Sequence, residues 1–532
     1  MNGYLIALVV LLAWLVLVYF LKKTKWLERH SMSLMGPFIM WRTRRGKDII
    51  DRIASRSRFW NAYGQVSLWI CAGSMILIMT LLLWEATIVT QIERAPSPEL
   101  ILGIPGLNPV IPLGYGILAL VIAIVVHEMS HGILTRVGKM KIQSLGLLFL
   151  VFPMGAFVEP DEKELQNATR SRRAKVFAAG PASNIVLALV VLALFSGVMM
   201  SSVEPSRDGS LAVGVVDGSP AQRAGVSPTS VIVSVGGVPI KNSTDMENRI
   251  TPSPGSPVTV EYYFKNELTR INVTDGVVVA YIVKDFAADK AGLLTGMVLV
   301  SVNDSIVRNT KGLSDVMALT HAGQTVSISV MSYNGSAGAF LVNSSISQVT
   351  LSDKWTYYNK YDSSNNKEAY RGVGYFGGGF LDLGIQSENV TYYSGVLSNP
   401  FKGDKSVDDF SRSWLRLIAL PFLDLAPLRS PVTDLYHPGG GLAWMPDSVF
   451  WLLTNSFYWI FWLNLMVGLT NVLPAVPLDG GYLFRDGLDY LLDKTGRTYT
   501  KDQKDRAVGS ITIGIALLVL SLIVWQLVGP AF

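Results

Sequence analysis

Six windows of about 20 apolar residues restrict this chain to folds that a lipid bilayer can hold. They are Gly3–Leu21, Gln65–Val89, Gly114–Leu134, Phe177–Met199, Phe450–Leu469 and Val508–Leu527. At 1.5 Å of rise per residue each crosses a hydrocarbon core of about 30 Å, and backbone in that setting must satisfy its own hydrogen bonds, which selects helices. Half of the 532 residues are apolar and only 16% are charged. The expected fold class is therefore a polytopic α-helical membrane protein with about six transmembrane helices. A net charge of +5 sits largely in juxtamembrane loops, where anionic headgroups account for it, so no nucleic-acid partner is assigned. The single cysteine, Cys71, lies inside the second window, which excludes an intrachain disulfide and a cysteine metal cluster.

Charge then orients the spans. Positive residues follow the first window (Lys22, Lys23, Lys25) instead of preceding it, the reverse of a cleaved signal peptide, so this segment reads as a retained anchor. Eleven Lys or Arg and three acids between Lys22 and Ala62 place that loop in the cytoplasm and the N-terminus outside. The basic loops Lys139–Lys175 and Asp486–Arg506 then fall inside, and the polar stretch from Ser201 to about Asp447 falls outside. Six glycosylation sequons in that stretch, from Asn242 to Asn389, agree, although a seventh at Asn167 lies on the opposite side.

The outer region contains a tandem repeat. AGVSPTSVIVSVGGVPIKN from Ala224 aligns without a gap with AGLLTGMVLVSVNDSIVRN from Ala291, a spacing of 67 residues. Each copy runs strand, short helix, Ala-Gly, strand, turn, an order that resembles PDZ domains attached to membrane proteases. That resemblance implies capture of an extended peptide or C-terminus by strand addition. Steric screening of access to the membrane is an equal alternative, because neither copy shows a Gly-rich carboxylate loop ahead of its strand. The division expected is 1–63 anchor and basic loop, 64–200 first half of the membrane core, 203–276 and 277–352 the two PDZ-like domains, 353–447 an extracytoplasmic insert, and 448–532 the second half of the core. Within the insert, Asp353–Gly377 is rich in Tyr, Asn and Gly and suggests no role, while Trp414–Leu428 reads as a membrane-surface segment.

The third window contains HEMSH, two histidines and a glutamate in a stretch otherwise suited to lipid. A charge at the centre of a spanning helix costs at least about 3 kcal/mol on insertion scales, so such groups mark function. Positions i and i+4 share a helix face, which lets His127 and His131 meet one Zn²⁺. Glu128, turned about 100° from His127, stands beside the metal as a general base for water instead of among the ligands. A catalytic zinc keeps three protein ligands and an open position, so one ligand is missing from this motif. NVLPAVPLDGG from Asn471 supplies a candidate in Asp479, where Pro474 and Pro477 must open the helix near the cytoplasmic end of the fifth window.

Together, His127-Glu128-x-x-His131 and Asn471-x-x-Pro474-x-x-Pro477-Leu478-Asp479-Gly480 resemble the site-2 proteases, and the resemblance extends to GAFVEPDEKEL from Gly155 and to Gly180-Pro181-Ala182-Ser183-Asn184. It implies a site-2 protease core with an inserted extracytoplasmic β-rich tandem PDZ-like region, one catalytic Zn²⁺ on His127, His131 and Asp479, and Glu128 as base. Asn184 and Asn471 are implied to hydrogen-bond the substrate backbone or a developing oxyanion, with pairing of a buried backbone group between helices an equal alternative for Asn184. The implied substrates are transmembrane segments of other proteins, usually pre-cleaved. His127 lies about 13 residues into its window from the outer side, roughly 20 Å, which places the active site in the membrane near the cytoplasmic face. LGLLFLVFPMGAFVEP from Leu145, too short to span, is implied to form a hairpin or edge strand, against the alternative of an ordinary re-entrant loop. A non-catalytic membrane scaffold working through its PDZ-like pair is the rival reading; the presence of Glu128 and of only three candidate ligands speaks against it.

Overall fold

A computed structural model describes the chain apart from residues 1–2, 31, 44–46, 92–96, 102, 151, 250–252, 344–345, 362–366, 404–405, 496–499 and 532. It divides into two compact units, 1–199 with 404–427 and 451–532, and 200–403 with 428–450.

Helices dominate the first unit: α1 (Gly3–Lys23), α2 (Ser57–Ile88), α3 (Leu113–Val137), α4 (Arg170–Leu194), α5 (Asp447–Asn471), α6 (Asp479–Lys494) and α7 (Lys501–Val528). Among the described residues five helical stretches, carrying α2, α3, α4, α5 and α7, are long and apolar enough to cross a membrane. Helix boundaries follow local chemistry. Pro112 and Gly138 bracket α3, and a capping box of Thr500 with Gln503 starts α7. The centre of the unit is α4, whose small residues Ala178, Ala179, Gly180, Ala182 and Ser183 are all buried. Small side chains let neighbouring helices approach where lipid offers no hydrophobic drive. On α5, a Cβ at Gly468 would fall 2.8 Å from the Ile185 side chain of α4. From the N-terminal ends of α4 and α7 to the middle of α6, Arg173 pairs with Asp486 at 2.6 Å and Arg170 with Asp489 at 2.5 Å, while Lys504 reaches Asp489 at 2.7 Å.

Beside these helices lies an antiparallel sheet of four strands, β1 (Met32–Met35), β2 (Phe38–Thr43), β3 (Ile142–Leu150) and β4 (Phe152–Pro160), in that order. The run from Leu145 to Pro160 is thus a hairpin, with β4 at the sheet edge; Leu145 faces Val158 and Gly146 faces Phe157. Pairing of β2 to β3 through Arg42 and Gly146 was not expected, since the basic loop reads as cytoplasmic connection. Gly146 makes it possible: a Cβ there would sit 2.5 Å from the Trp41 carbonyl oxygen. Val407–Ala419, overlapping the expected surface segment, is a helix. The chain at its end packs on α5, where Tyr458 Oη donates to the Leu417 carbonyl at 2.7 Å and Trp462 Nε1 to that of Ile418 at 3.0 Å.

In the second unit the 67-residue repeat is a repeat of structure. Strand β5 (Ser210–Val215) recurs as β9 (Val277–Ile282), the short helix Pro220–Arg223 as Ala287–Lys290, and β6 (Val231–Val235) as β10 (Val298–Val302). Each copy then starts a helix on an asparagine cap: Asn242 accepts from the Asp245 N–H and Asn309 from the Gly312 N–H. Two further strands extend each sheet, β7 (Pro257–Phe264) and β8 (Glu267–Thr274) in the first copy, β11 (Thr325–Asn334) and β12 (Ala339–Val342) in the second. A hairpin from the insert completes both: β13 (Gly378–Asp382) pairs with β9 and β14 (Ile385–Asn389) with β5. Hence each copy includes a strand from the segment that the sequence division sets apart as an insert. The reason is edge chemistry, for without the hairpin β5 and β9 would each expose a row of unpaired backbone groups. The insert also holds the helix Lys354–Tyr361 and a two-strand pairing of Ser352–Asp353 with Gly374–Tyr375; residues 362–366 lie outside the described part.

Asp382, at the end of β13, is buried and accepts hydrogen bonds from Thr310 N–H and Oγ at 3.0 Å each. Burial pushes its carboxyl up from 3.8 to about 6. A raised folded-state value means that stability from this group is fully present below the unfolded value and lost as pH climbs through the folded one. Asp382→Asn should therefore become stabilising relative to wild type between pH 4 and pH 7, by on the order of 3 kcal/mol. Unfolding midpoints of the two full-length proteins at both pH values measure this, and a difference independent of pH would refute it.

Candidate metal centre

The geometry of the site begins with α3. His127 and His131, one turn apart and both buried, turn their Nε2 atoms to the same point, 3.1 Å from each other. Asp479 meets them there: its Oδ2 lies 3.0 Å from His127 Nε2 and 3.2 Å from His131 Nε2.

Asp479 arrives by way of a broken helix. After α5 ends at Asn471, the chain turns through hydrogen bonds from Ala475 N–H to the Leu473 carbonyl (2.7 Å) and from Leu478 N–H to that of Ala475 (2.9 Å), then starts α6 on Asp479. The first turn of α6 folds tightly onto this segment. A Cβ at Gly480 would be 2.2 Å from the Val472 carbonyl oxygen, and one at Gly481 2.5 Å from the Ala475 carbonyl carbon. The two glycines after Asp479 are thus steric requirements that position the carboxylate.

Other contacts orient the imidazoles. His131 Nδ1 sits 2.7 Å from the Val176 carbonyl of α4, which only accepts, so Nδ1 carries the proton and Nε2 of the neutral ring presents a lone pair. That lone pair faces the carboxylate oxygen of Asp479. Two acceptors at 3.2 Å repel unless a cation or a proton lies between them. Two imidazole nitrogens and one carboxylate oxygen form a donor set suited to zinc. Their mutual separations of 3.0 to 3.2 Å are close to the edge of about 3.3 Å expected for a tetrahedron with ligand bonds near 2.0 Å. The residues fit the metal.

Glu128 stays out of this cluster. Its carboxylate accepts from the Val158 N–H of the edge strand β4 at 3.0 Å. It opens onto a cavity of about 210 Å³ lined by Val125, Met129, Leu145, Ala156 and Val158. Asn184, fully buried on α4, places its amide 3.3 Å from His127 Nδ1. Asn471 differs: its amide nitrogen donates to the Val467 carbonyl of its own helix at 3.0 Å instead of turning to the three clustered residues.

The sequence motif that begins at Gly180 carried no role for this glycine. A Cβ at that position would fall 2.4 Å from His131 Nε2 and 2.7 Å from His127 Nε2, so this glycine makes room for the imidazole pair. Its signal was present in the sequence, a glycine one helical turn before Asn184 in an apolar window. Also unforeseen is a hydroxyl chain behind the site, in which Ser183 Oγ lies 2.6 Å from both Ser130 Oγ and Tyr63 Oη, joining α2, α3 and α4.

A bundle of apolar helices with a buried two-histidine, one-aspartate cluster and a glutamate beside it defines a metallopeptidase-type site. The chain belongs to peptidase family M50, whose pattern matches residues 115–520. It is 31% identical over 202 residues to an uncharacterized protein of Methanocaldococcus jannaschii, covering 37% of this chain and 52% of that one. It is also 29% identical over 120 residues to the zinc metalloprotease RasP of Shouchella clausii, covering 22% and 27% respectively. The chain thus spans about half the length of the first relative and about a quarter of the second.

Proposed function

We propose that this chain is a zinc metalloendopeptidase that hydrolyses peptide bonds in transmembrane segments of other membrane proteins. The observation that carries the reading is the convergence of His127 and His131, on a helix apolar enough for a bilayer, with Asp479 at the start of α6. These three residues would hold one zinc ion, which when bound supplies Lewis acidity towards water and a carbonyl oxygen. Glu128, next to the ligands on α3, takes the proton from the attacking water and returns it to the leaving amine.

A spanning helix hides its peptide bonds in hydrogen bonds, so a substrate must unwind before it can be cut. The outer edge of β4, which no other strand pairs among the described residues and from which Val158 N–H donates to Glu128, supports binding of an unwound segment by strand addition, with the neighbouring apolar cavity taking a side chain. Charge asymmetry supports a site near the cytoplasmic face, with the β repeat and the N-terminus outside. In the β repeat, β13 is the edge of its sheet and its glycine run starts at Gly377 and continues through Gly378 and Gly379, the first two residues of the strand, a run of the kind missing ahead of β5 and β9. This supports the PDZ-like reading, in which the second copy captures an extended peptide or C-terminus from a pre-cleaved substrate.

The test uses full-length protein in detergent or bilayer discs. Wild type should carry about one zinc per chain and cleave a model spanning segment, whereas Asp479→Ala should lose at least about 100-fold in zinc affinity and all measurable cleavage, because one of three ligands is gone. Unchanged zinc content in Asp479→Ala would remove Asp479 from the site. Zinc-loaded wild type that fails on every spanning segment, yet cuts soluble peptides, would refute the substrate assignment.

A further inference from the structure

We infer that Asn184 is a positioning residue for His127: its amide oxygen accepts from His127 Nδ1–H and so keeps the lone pair on Nε2, where a metal ion needs it. The inference rests on the zinc reading and replaces the substrate-binding role implied by family resemblance with one inside the metal site.

A neutral imidazole has one N–H, and the partner of one nitrogen decides the state of the other. For His131 the Val176 carbonyl settles this. For His127 the neighbour of Nδ1 is the Asn184 amide at 3.3 Å, in a side chain with no solvent exposure. If the amide nitrogen faced Nδ1, that nitrogen would have to accept. The ring proton would then sit on Nε2, in the space between His127, His131 and Asp479. The Asn184 oxygen, meanwhile, is buried without a hydrogen-bond partner among the described residues. A half-turn about the Cβ–Cγ bond exchanges the two ends of the amide, and the hydrogen-bond network selects between them. Turning the oxygen to Nδ1–H gives it a donor and frees Nε2 in one step. Both imidazoles then have an acceptor on α4 behind Nδ1, the arrangement that orients metal-bound histidines. Gly180 and Asn184, one turn apart, divide the work on that face of α4: the first leaves space for the two rings and the second orients one of them.

The test compares Asn184→Asp with Asn184→Leu in the full-length protein. Zinc affinity is measured by chelator competition, and the His127 tautomer by two-bond ¹H–¹⁵N correlation on the metal-free protein. Asp keeps an acceptor towards Nδ1–H and should hold zinc within about threefold of wild type, whereas Leu, of similar size but without an acceptor, should bind it about 10- to 100-fold more weakly. The tautomer should be Nδ1–H in wild type and in Asn184→Asp, with Nε2–H gained in Asn184→Leu. Unchanged zinc affinity in Asn184→Leu, or weaker binding by Asn184→Asp than by Asn184→Leu, overturns the inference. So does a raised KM in both variants with zinc affinity intact, which would return Asn184 to the substrate. Should Asn184→Leu fail to fold, the wild-type tautomer decides, and Nε2–H there overturns it. Wild type that binds no zinc defeats the proposed function itself, before any variant is compared.

Discussion

Glu128→Gln should retain its full complement of zinc and cleave a spanning-segment substrate about 10²- to 10⁴-fold more slowly than wild type, the range expected when a positioned general base is removed. The two halves of this result come from different contacts. Zinc should be retained because the proposed ligand atoms belong to His127, His131 and Asp479, whereas the Glu128 carboxylate accepts from Val158 N–H. The fold is retained because glutamine is isosteric and keeps a carbonyl oxygen to accept from Val158 N–H, the contact Glu128 makes at 3.0 Å. What disappears is basicity alone. Zinc per chain by elemental analysis and turnover of a fluorogenic spanning peptide, measured on the same preparation, separate the two. A variant that holds zinc and cuts as fast as wild type would exclude Glu128 as the base; one that loses zinc would make it part of the metal's support.

Much of this site was legible in the sequence because helical periodicity is a strict rule. Positions i and i+4 must share a face, so HEMSH by its spacing alone brings two imidazoles together. Asp479 was legible for a different reason, since two prolines and two glycines in an apolar setting can only mean broken helix, which a bilayer tolerates where protein surrounds it. The repeat was legible because a gapless 67-residue alignment leaves few alternatives, and the paired asparagine caps at Asn242 and Asn309 show how literally it is carried out in the fold. Pairings between distant segments were not legible. Nothing in Met32–Thr43 says that it will extend the hairpin of Ile142–Pro160, and nothing in Gly378–Asn389 says that one hairpin will serve two sheets. Strand alternation states which face of a strand is apolar and is silent about which edge it meets. Asn471 illustrates a further limit, for its position in a motif carried no information about its side chain, which bonds back to its own helix.

Gly180→Ala should abolish zinc binding while leaving the helix bundle folded, an effect on the metal of at least about 100-fold from a single methyl group; ordinary losses from altered metal support are about 10- to 100-fold. Alanine is the better helix former, and overpacking a buried position costs only about 1–3 kcal/mol, so α4 itself should survive. The methyl group, however, would fall 2.4 Å from His131 Nε2 and 2.7 Å from His127 Nε2, on the atoms that face Asp479. Neither ring can retreat freely, because His131 is tied to the Val176 carbonyl at 2.7 Å and His127 lies against Asn184 at 3.3 Å, both on the helix that carries the new methyl. Relief must come from moving α4 away from α3 or from rotating an imidazole off its acceptor, and either change breaks the ligand triangle. Gly73→Ala on α2 is the control, since a Cβ there has no neighbour within 4 Å. Zinc per chain after gel filtration, together with the thermal midpoint, reads the outcome. Gly180→Ala with normal zinc would mean that α3 and α4 are not held together as tightly as this site requires, and the tie between His131 and Val176 would be the first contact to re-examine.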